Sequence, residues 1–322
     1  MSPATPALCL VADVGGTYVR FALSQAGLIQ INSVLRLKTA NFPSLLDATR
    51  YFLKQHSQPI DRACFAVAGP VGNEKFQLSN GAWNDSATHL RDALQLSHVR
   101  LINDFEAIAL AVPLLAVSQQ APIGVSHGEI THLSPQSTVV IGPGTGFGNA
   151  CLVHTPIGPI VVAGEGGHSV LSPENPQEMA LLDWLAQHGY TNECEAFISG
   201  PGIELMHRAL CDIAGLPQCK LGVTDIVQRA LNDDAHCQRT LHQFCAWLGS
   251  VARDYALKFG AHGGVYIAGG VVSHFAQFLQ QSAFRARFEN CKKMHRYLRA
   301  IPTYLVTAEN PGLMGAAWLC NQ

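Results

Sequence analysis

Two short apolar strands, each broken off by a glycine-rich turn and followed by a second strand, constrain this chain more than any other feature. In the first, Leu8 to Val11 runs into Asp13-Val14-Gly15-Gly16-Thr17, and Tyr18 to Ser24 follows, rich in β-branched and aromatic residues and without a helix cap. In the second, Val139-Val140-Ile141 runs into Gly142-Pro143-Gly144-Thr145-Gly146-Phe147-Gly148, and Asn149 to His154 follows. Glycines let a backbone turn tightly and bring its N–H groups up to an anion, where a Cβ would be in the way. Thr17 adds a hydroxyl donor, and Asp13 adds a carboxylate that can hold Mg2+ directly or through water. The better-known glycine-rich nucleotide loops run from a strand straight into a helix, which neither turn here does. No Gly-Lys dipeptide occurs in the sequence, so a Walker-type loop is excluded as well. One such hairpin is also what an ordinary turn looks like. Two of them in one chain point to a duplicated fold that grips one nucleotide from both sides.

A duplicated fold needs length, and 322 residues are long for one core and fit two lobes. With 48% hydrophobic and 14% charged residues and 29 glycines, the composition is that of a globular α/β protein without a disordered tail. The net charge of -2 gives no general attraction to nucleic acid or to anionic membranes. A basic cluster, Arg285, Arg287, Lys292, Lys293, Arg296 and Arg299, reads as the solvated face of a helix pair. The apolar run Ala7 to Ala12 is too short for a signal-peptide core or a membrane span, so a cytoplasmic protein is expected. The ten cysteines fit that location as free thiols, with Cys9, Cys64 and Cys151 in predicted strands and Cys211, Cys237 and Cys245 in predicted helices. No C-x-x-C and no Cys/His knuckle indicates a redox motif or a zinc site.

Further strands are read at Val34 to Leu37, Cys64 to Ala68 and Val99 to Ile102, with a helix from Leu45 to Phe52 and another from Asn103-Asp104 through Val112. The second half repeats the order with strands at Thr138 to Ile141, Asn149 to Val153 and Ile160 to Val162. Mostly helices follow, among them a long one over His236 to Phe259 whose apolar face is Leu241, Phe244, Cys245, Leu248, Val251, Ala252 and Tyr255. Late strands are expected at Val265 to Ala268 and Thr303 to Val306, and a last helix at Leu313 to Leu319. The stretch Val117 to Gln136 is polar and turn-rich and reads as a surface connection near the domain boundary.

Asn103-Asp104 sits where a strand ends and a helix begins. That is where a capping residue is found, and also where a base beside a phosphate site could take the proton of a substrate hydroxyl as it attacks a γ-phosphate. In Gly164-Glu165-Gly166-Gly167-His168 and at Glu195, glycine-flanked acceptors and one switchable donor make a set suited to the ring hydroxyls of a sugar. Each taken alone is also an ordinary surface group. Gly269-Gly270, after a strand, would let a purine lie against the backbone, or is a plain turn. Gly124-Val125-Ser126-His127-Gly128 matches the nucleophile elbow G-x-S-x-G, but neither a buried strand before it nor a helix after it is present in the sequence.

With these residues in place, the chain resembles the bacterial glucokinases of the hexokinase, Hsp70 and actin superfamily over essentially its whole length. The carrying motifs are DVGGT at Asp13–Thr17, LINDF at Leu101–Phe105, GPGTGFG at Gly142–Gly148, GEGGH at Gly164–His168, ISGPG at Ile198–Gly202, YIAGG at Tyr266–Gly270 and ENPGL at Glu309–Leu313, in the family's order. The resemblance implies a two-lobed α/β fold, actin-like and ribonuclease H-like, with an interlobe active-site cleft. It implies ATP and Mg2+ as cofactors, D-glucose as substrate, Asp104 as catalytic base, and Asn103, Asp104, Glu165, His168 and Glu195 as glucose contacts. Asp13 (also the Mg2+ carboxylate, through water), Gly15, Gly16, Thr17, Gly144, Thr145, Gly146, Gly269 and Gly270 fall on the ATP side. Residues 1–115 with 304–322 should form the small lobe and 116–303 the large one, in a cytoplasmic homodimer with no nucleic-acid or membrane partner.

Two positions depart from the family's pattern. Tyr18 stands where Asn is usual, and Pro143 stands where a small residue is usual and stiffens its turn. The cysteine-rich zinc motif of the related ROK sugar kinases is missing after His168, and no winged-helix head is expected before Asp13. The reading is an ATP-dependent glucokinase. A kinase for another hexose or hexosamine, and a sensor that binds nucleotide or sugar without turnover, remain as alternatives.

Overall fold

A computed structural model describes residues 8–126, 136–217 and 220–322. They divide into two compact units, the chain up to Ala116 together with Ala308–Gln322, and Val117–Thr307. His127 and Gly128 of the rejected elbow motif, residues 127–135 of the expected surface connection, Ala7 and Cys219 lie outside the described residues.

The first unit opens with β1 (Leu8–Val14), whose carboxyl end turns at Gly15–Thr17 into β2 (Tyr18–Gln25). β1 is apolar at every position but Asp13, β2 buries Val19, Phe21, Ala22 and Leu23, and the two pair antiparallel with Asp13 opposite Arg20. The short β3 (Leu28–Ile29) and β4 (Leu35–Lys38) both pair antiparallel with β2. After α1 (Leu45–Leu53), β5 (Arg62–Val67) lies parallel to β1. Then come β6 (Val71–Gly72), β7 (Lys75–Gln77) and β8 (Asn84–Ser86), a small antiparallel sheet that the sequence reading did not foresee. Next are α2 (Ala87–Leu94), β9 (His98–Asn103) parallel to β5, and α3 (Asp104–Ala111). One sheet face buries Phe21, Phe65 and Val67 against Leu45, Phe52 and Leu90 of α1 and α2, with Phe76, Leu78 and Trp83 closing the same core. The other face buries Val11, Ala22 and Ala66 against Ala107 of α3 and Leu313, Ala316 and Ala317 of the C-terminal helix Pro311–Cys320. Those two helices touch where a Cβ on Gly315 would run into the Ala107 carbonyl, so close packing depends on the missing side chain.

The second unit repeats the hairpin with larger elements. β10 (Gln120–Pro122), inside the stretch expected to be a bare connection, edges a sheet that continues with β11 (Ser137–Pro143), β12 (Phe147–Thr155) and β13 (Gly158–Gly164). Helices α4 (Pro176–Gln187), α5 (Cys194–Phe197), α6 (Gly200–Ile213), α7 (Val223–Leu231) and α8 (Ala235–Phe259) precede β14 (Val265–Ile267) and β15 (Thr303–Val306). β11 pairs antiparallel with β12 and parallel with β14, and β14 lies parallel to β15. Because β15 is bonded between β10 and β14, the segment 304–307 belongs to this unit. The expected completion of the first unit from 304 is corrected to Ala308 onward.

Helix α8 is buried all round from Gln243 to Ala252, whereas the pattern suggested one apolar face. The cause is its company: β11, α6, α7 and the short helix Phe284–Phe288 all pack on it. That short helix also corrects the reading of the basic cluster. Arg287 is bound to the fully buried Glu178, Nη1 to Oε1 at 2.6 Å and Nη2 to Oε2 at 3.2 Å. Arg285 donates to Glu289 at 2.7 Å and to the Ile301 carbonyl at 2.8 Å. Both guanidiniums are interior ties, since a buried charge persists only when paired.

Candidate active site

In the first unit the parallel strands β1, β5 and β9 bring their carboxyl ends to one edge, the edge at which open α/β sheets bind ligands. The glycine turn leaves β1 there. Gly15 N–H donates to the Tyr18 carbonyl at 2.9 Å, and Thr39, just after β4, holds the turn twice: N–H to Thr17 O at 3.0 Å and Oγ1 to Gly15 O at 2.9 Å. A Cβ on Gly16 would overlap the backbone carbonyl of Asn80, in the loop between β7 and β8. The glycine is therefore required by a neighbouring strand connection as well as by any ligand. Asp13 Oδ2 accepts from Arg20 Nη1 at 3.0 Å, and its Cγ lies 3.2 Å from where a Cβ on Gly312 would sit, in the first turn of the C-terminal helix. Burial pushes this carboxyl above the ordinary carboxylate range, against the pull of Arg20.

At the end of β9 the cap is Asn103 and not Asp104. Asn103 Oδ1 accepts from Phe105 N at 2.9 Å and Glu106 N at 3.3 Å, while its Nδ2 donates to the Gly69 carbonyl at 3.1 Å, tying the ends of β9 and β5 together. Asp104 is thereby the first residue of α3. It is half-buried, with Oδ1 accepting from Phe105 N at 3.0 Å.

The second unit gathers the remaining expected residues. Gly144 N–H donates to Gly146 O at 2.8 Å, and the Gly144 carbonyl accepts from Gly200 N at 2.8 Å, which brings the start of α6 to the turn. Gly269 has φ +102°, a conformation that favours glycine, and a Cβ there would strike the Pro143 carbonyl. Gly144, Thr145, Gly146, Gly269 and Gly270 therefore form one neighbourhood beside the first turn of α6. A helix start of this kind suits an anion.

Glu195, in α5, links that neighbourhood to the GEGGH loop. Its Oε2 accepts from Phe147 N at 2.8 Å, and it lies 2.5 Å from where a Cβ on Gly146 would stand and 3.2 Å from one on Gly167. His168 Nδ1 meets Glu193 Oε2 at 2.7 Å. That hydrogen bond raises the imidazole pKa above its ordinary value, desolvation opposes it, and the fields of Glu195, Glu193 and Glu165 raise it further. Glu193 is correspondingly held below the usual carboxylate range by His168. The loop is fixed from behind by Asn149, whose Oδ1 accepts from Gly166 N at 2.7 Å. A Cβ on Gly166 would overlap the Tyr255 hydroxyl.

Several contributors were not singled out from the sequence. Asn149 looked like an ordinary strand residue, and Glu193 stands two positions before Glu195 with no motif of its own. Arg20 and Thr39 are legible only through strand register. Among the described residues no three of His, Cys, Asp and Glu converge as a metal cage, and no helix is long and apolar enough to cross a membrane.

The family profile described as glucokinase matches residues 10–322. The chain is 40% identical over 311 residues to a glucokinase of Chromobacterium violaceum, covering 96% of this chain and 88% of that protein. A crystal structure of glucokinase from an Antarctic psychrotroph is 36% identical and superimposes with a TM-score of 0.83, covering 97% of this chain and 98% of that one. The crystal structure of Balamuthia mandrillaris glucokinase in complex with glucose has the same fold. It is 22% identical, with a TM-score of 0.83, covering 100% of this chain and 96% of that one.

Proposed function

The chain belongs to the glucokinase family, an actin-like α/β fold of sugar kinases, and from that premise we propose that it transfers the γ-phosphoryl group of ATP to D-glucose with Asp104 as general base. What supports the role of Asp104 is one observation: Asn103 takes the capping duty, so the carboxylate of Asp104 stands at the head of α3 without being needed as the cap. It stands at the carboxyl edge of the same sheet as the Asp13–Thr17 turn. In the reaction Asp104 accepts the proton of the sugar hydroxyl that attacks the γ-phosphate, and Asn103 orients the same sugar. The rest of the catalysis is positioning and charge stabilisation.

In the second unit Glu165, His168 and Glu195 would accept from and donate to ring hydroxyls. The turn at Gly144–Gly146, the start of α6 and Gly269-Gly270 would receive the nucleotide. Mg2+ fits Asp13 through water. One carboxylate oxygen is engaged by Arg20, and a lone carboxylate leaves most ligand positions to phosphate oxygens and water, as this ion prefers. When bound it supplies charge neutralisation on the phosphates.

The test is a sugar panel in a coupled ADP-release assay on the parent and on Asp104→Asn. The amide keeps size and a hydrogen bond but cannot take the proton, so turnover of glucose should fall by about 10² to 10⁴ with glucose affinity nearly kept. A variant that retained more than about a tenth of the parent rate would remove Asp104 from this role.

A further inference from the structure

Tyr18 is where this chain departs from the usual first phosphate motif, and the fold gives that ring a partner. The guanidinium carbon of Arg36, on β4, lies 3.6 Å from the centroid of the Tyr18 ring. Register carries the argument further. Tyr18 is opposite Lys38, Arg20 is opposite both Arg36 and Asp13, and directly opposed residues share a sheet face. Asp13, Tyr18, Arg20, Arg36 and Lys38 therefore lie on one face, the one whose other part is covered by the C-terminal helix. The residue after Lys38 is Thr39, which is bonded to both Gly15 and Thr17. β4 thus ends on the glycine turn itself.

The charge of this corner is one-sided. Arg20, Arg36 and Lys38 stand against the single carboxylate of Asp13, in a chain whose net charge is -2. Arg20 is occupied by Asp13. Arg36 is exposed, and among the described residues its N–H donors have no hydrogen-bond or ion-pair partner. Stacking on a ring fixes the plane of a guanidinium while leaving its edge donors open, the geometry that suits bidentate contact with phosphate oxygens.

We propose that Arg36, seated on Tyr18, is a phosphate contact for the nucleotide, added to the glycine turn and specific to the ATP side of the reaction. The assignment rests on the kinase reading above. Arg36 positions the nucleotide and takes no proton, so its loss weakens ATP binding without touching glucose. Tyr18 serves as the platform that holds the guanidinium edge-on to the turn.

The experiment measures MgATP binding by calorimetry and the two Michaelis constants for the full chain and for Arg36→Ala, Arg36→Gln, Tyr18→Ala and Tyr18→Phe. Thermal melting of each variant accompanies these measurements. Arg36→Ala and Arg36→Gln should raise Kd and KM for ATP about tenfold, the loss of one charge-assisted contact, with KM for glucose within about twofold. Tyr18→Ala should give a smaller rise in the ATP constant alone, and Tyr18→Phe, which keeps the ring, should restore it. Unchanged MgATP affinity in both Arg36 variants, with the parent binding normally, would overturn the role of Arg36 and leave the kinase reading standing. Equal rises in both Michaelis constants accompanied by a lower Tm would reduce the pair to a hairpin brace. A parent that bound no MgATP would overturn the kinase reading and this inference with it.

Discussion

The two glycine turns follow the same local recipe, yet they are held in different ways. Around the first, the constraint is backbone: the Asn80 carbonyl fills the space where Gly16 would carry a Cβ, and Thr39 bonds two of the turn's carbonyls. Around the second, one side is closed by the side chain of Glu195 at Gly146, while a Cβ on Gly144 would meet nothing within 4 Å. A turn walled by backbone is a rigid part of its unit. The second turn has a backbone tie too, Gly200 N to Gly144 O, but its wall at Gly146 is a side chain, so whatever moves Glu195 also moves the N–H of Phe147. The shared recipe therefore hides unequal tolerance to change.

The largest expected effect is on the rigid turn. Gly16→Ala drives a methyl into a main-chain oxygen that cannot swing away, so it should cost about 1–3 kcal/mol of stability or more and take most of the activity with it. Urea denaturation and the coupled assay measure both, and a variant as stable as the parent would refute the backbone wall. Next is the carboxylate peg. Glu195→Ala should lower kcat/KM for glucose by roughly 10- to 100-fold, the range for losing a hydrogen bond to a charged group. It should also raise KM for ATP, because Phe147 N–H loses its acceptor at the second turn. An effect on glucose alone would separate Glu195 from the turn.

Gly144→Ala should leave stability within about 0.5 kcal/mol of the parent. If the space beside it receives phosphate, KM for ATP should rise all the same. A drop in stability matching that of Gly16→Ala would erase the contrast between the turns.

The smallest effect is one of pH. The folded pKa of His168 lies above its ordinary value near 6.5, chiefly because of Glu193. The stability this pair contributes is present in full below that ordinary value and is lost as pH rises through the raised, folded one. Glu193→Gln should therefore be less stable than the parent in mildly acid buffer, with the difference closing as the pH rises. Proton NMR of the imidazole should show its pKa falling toward the ordinary value in the variant. An unchanged pKa would show that Glu193 does not hold the ring.

Much of this was legible in one dimension because it depends on local rules. Continuous apolar runs leading into glycine turns mark both hairpins, and a polar pair at a strand end marks Asn103-Asp104. The strand at Thr303–Val306 was legible as a strand and assigned to the wrong unit, since pairing partners leave no local trace. Arg285 and Arg287 look like any solvated charges until Glu178 and Glu289 are seen beside them. The sheet of β6 to β8 was missed because its strands are two or three residues long, too short for a period to show.

The sequence alone determined the α/β class, the duplicated hairpin, the positions of the glycine turns and the family, since each is written in short-range pattern or in motifs that survive in order. Tertiary structure decided that Asn103 is the cap and Asp104 is not, that Gly16 answers to Asn80, that Glu195 joins the second turn to the loop carrying His168, and that Tyr18 carries Arg36. Each of these is a meeting of residues set by strand register and helix packing. The energies that select them act between atoms a few ångströms apart, whatever their separation along the chain.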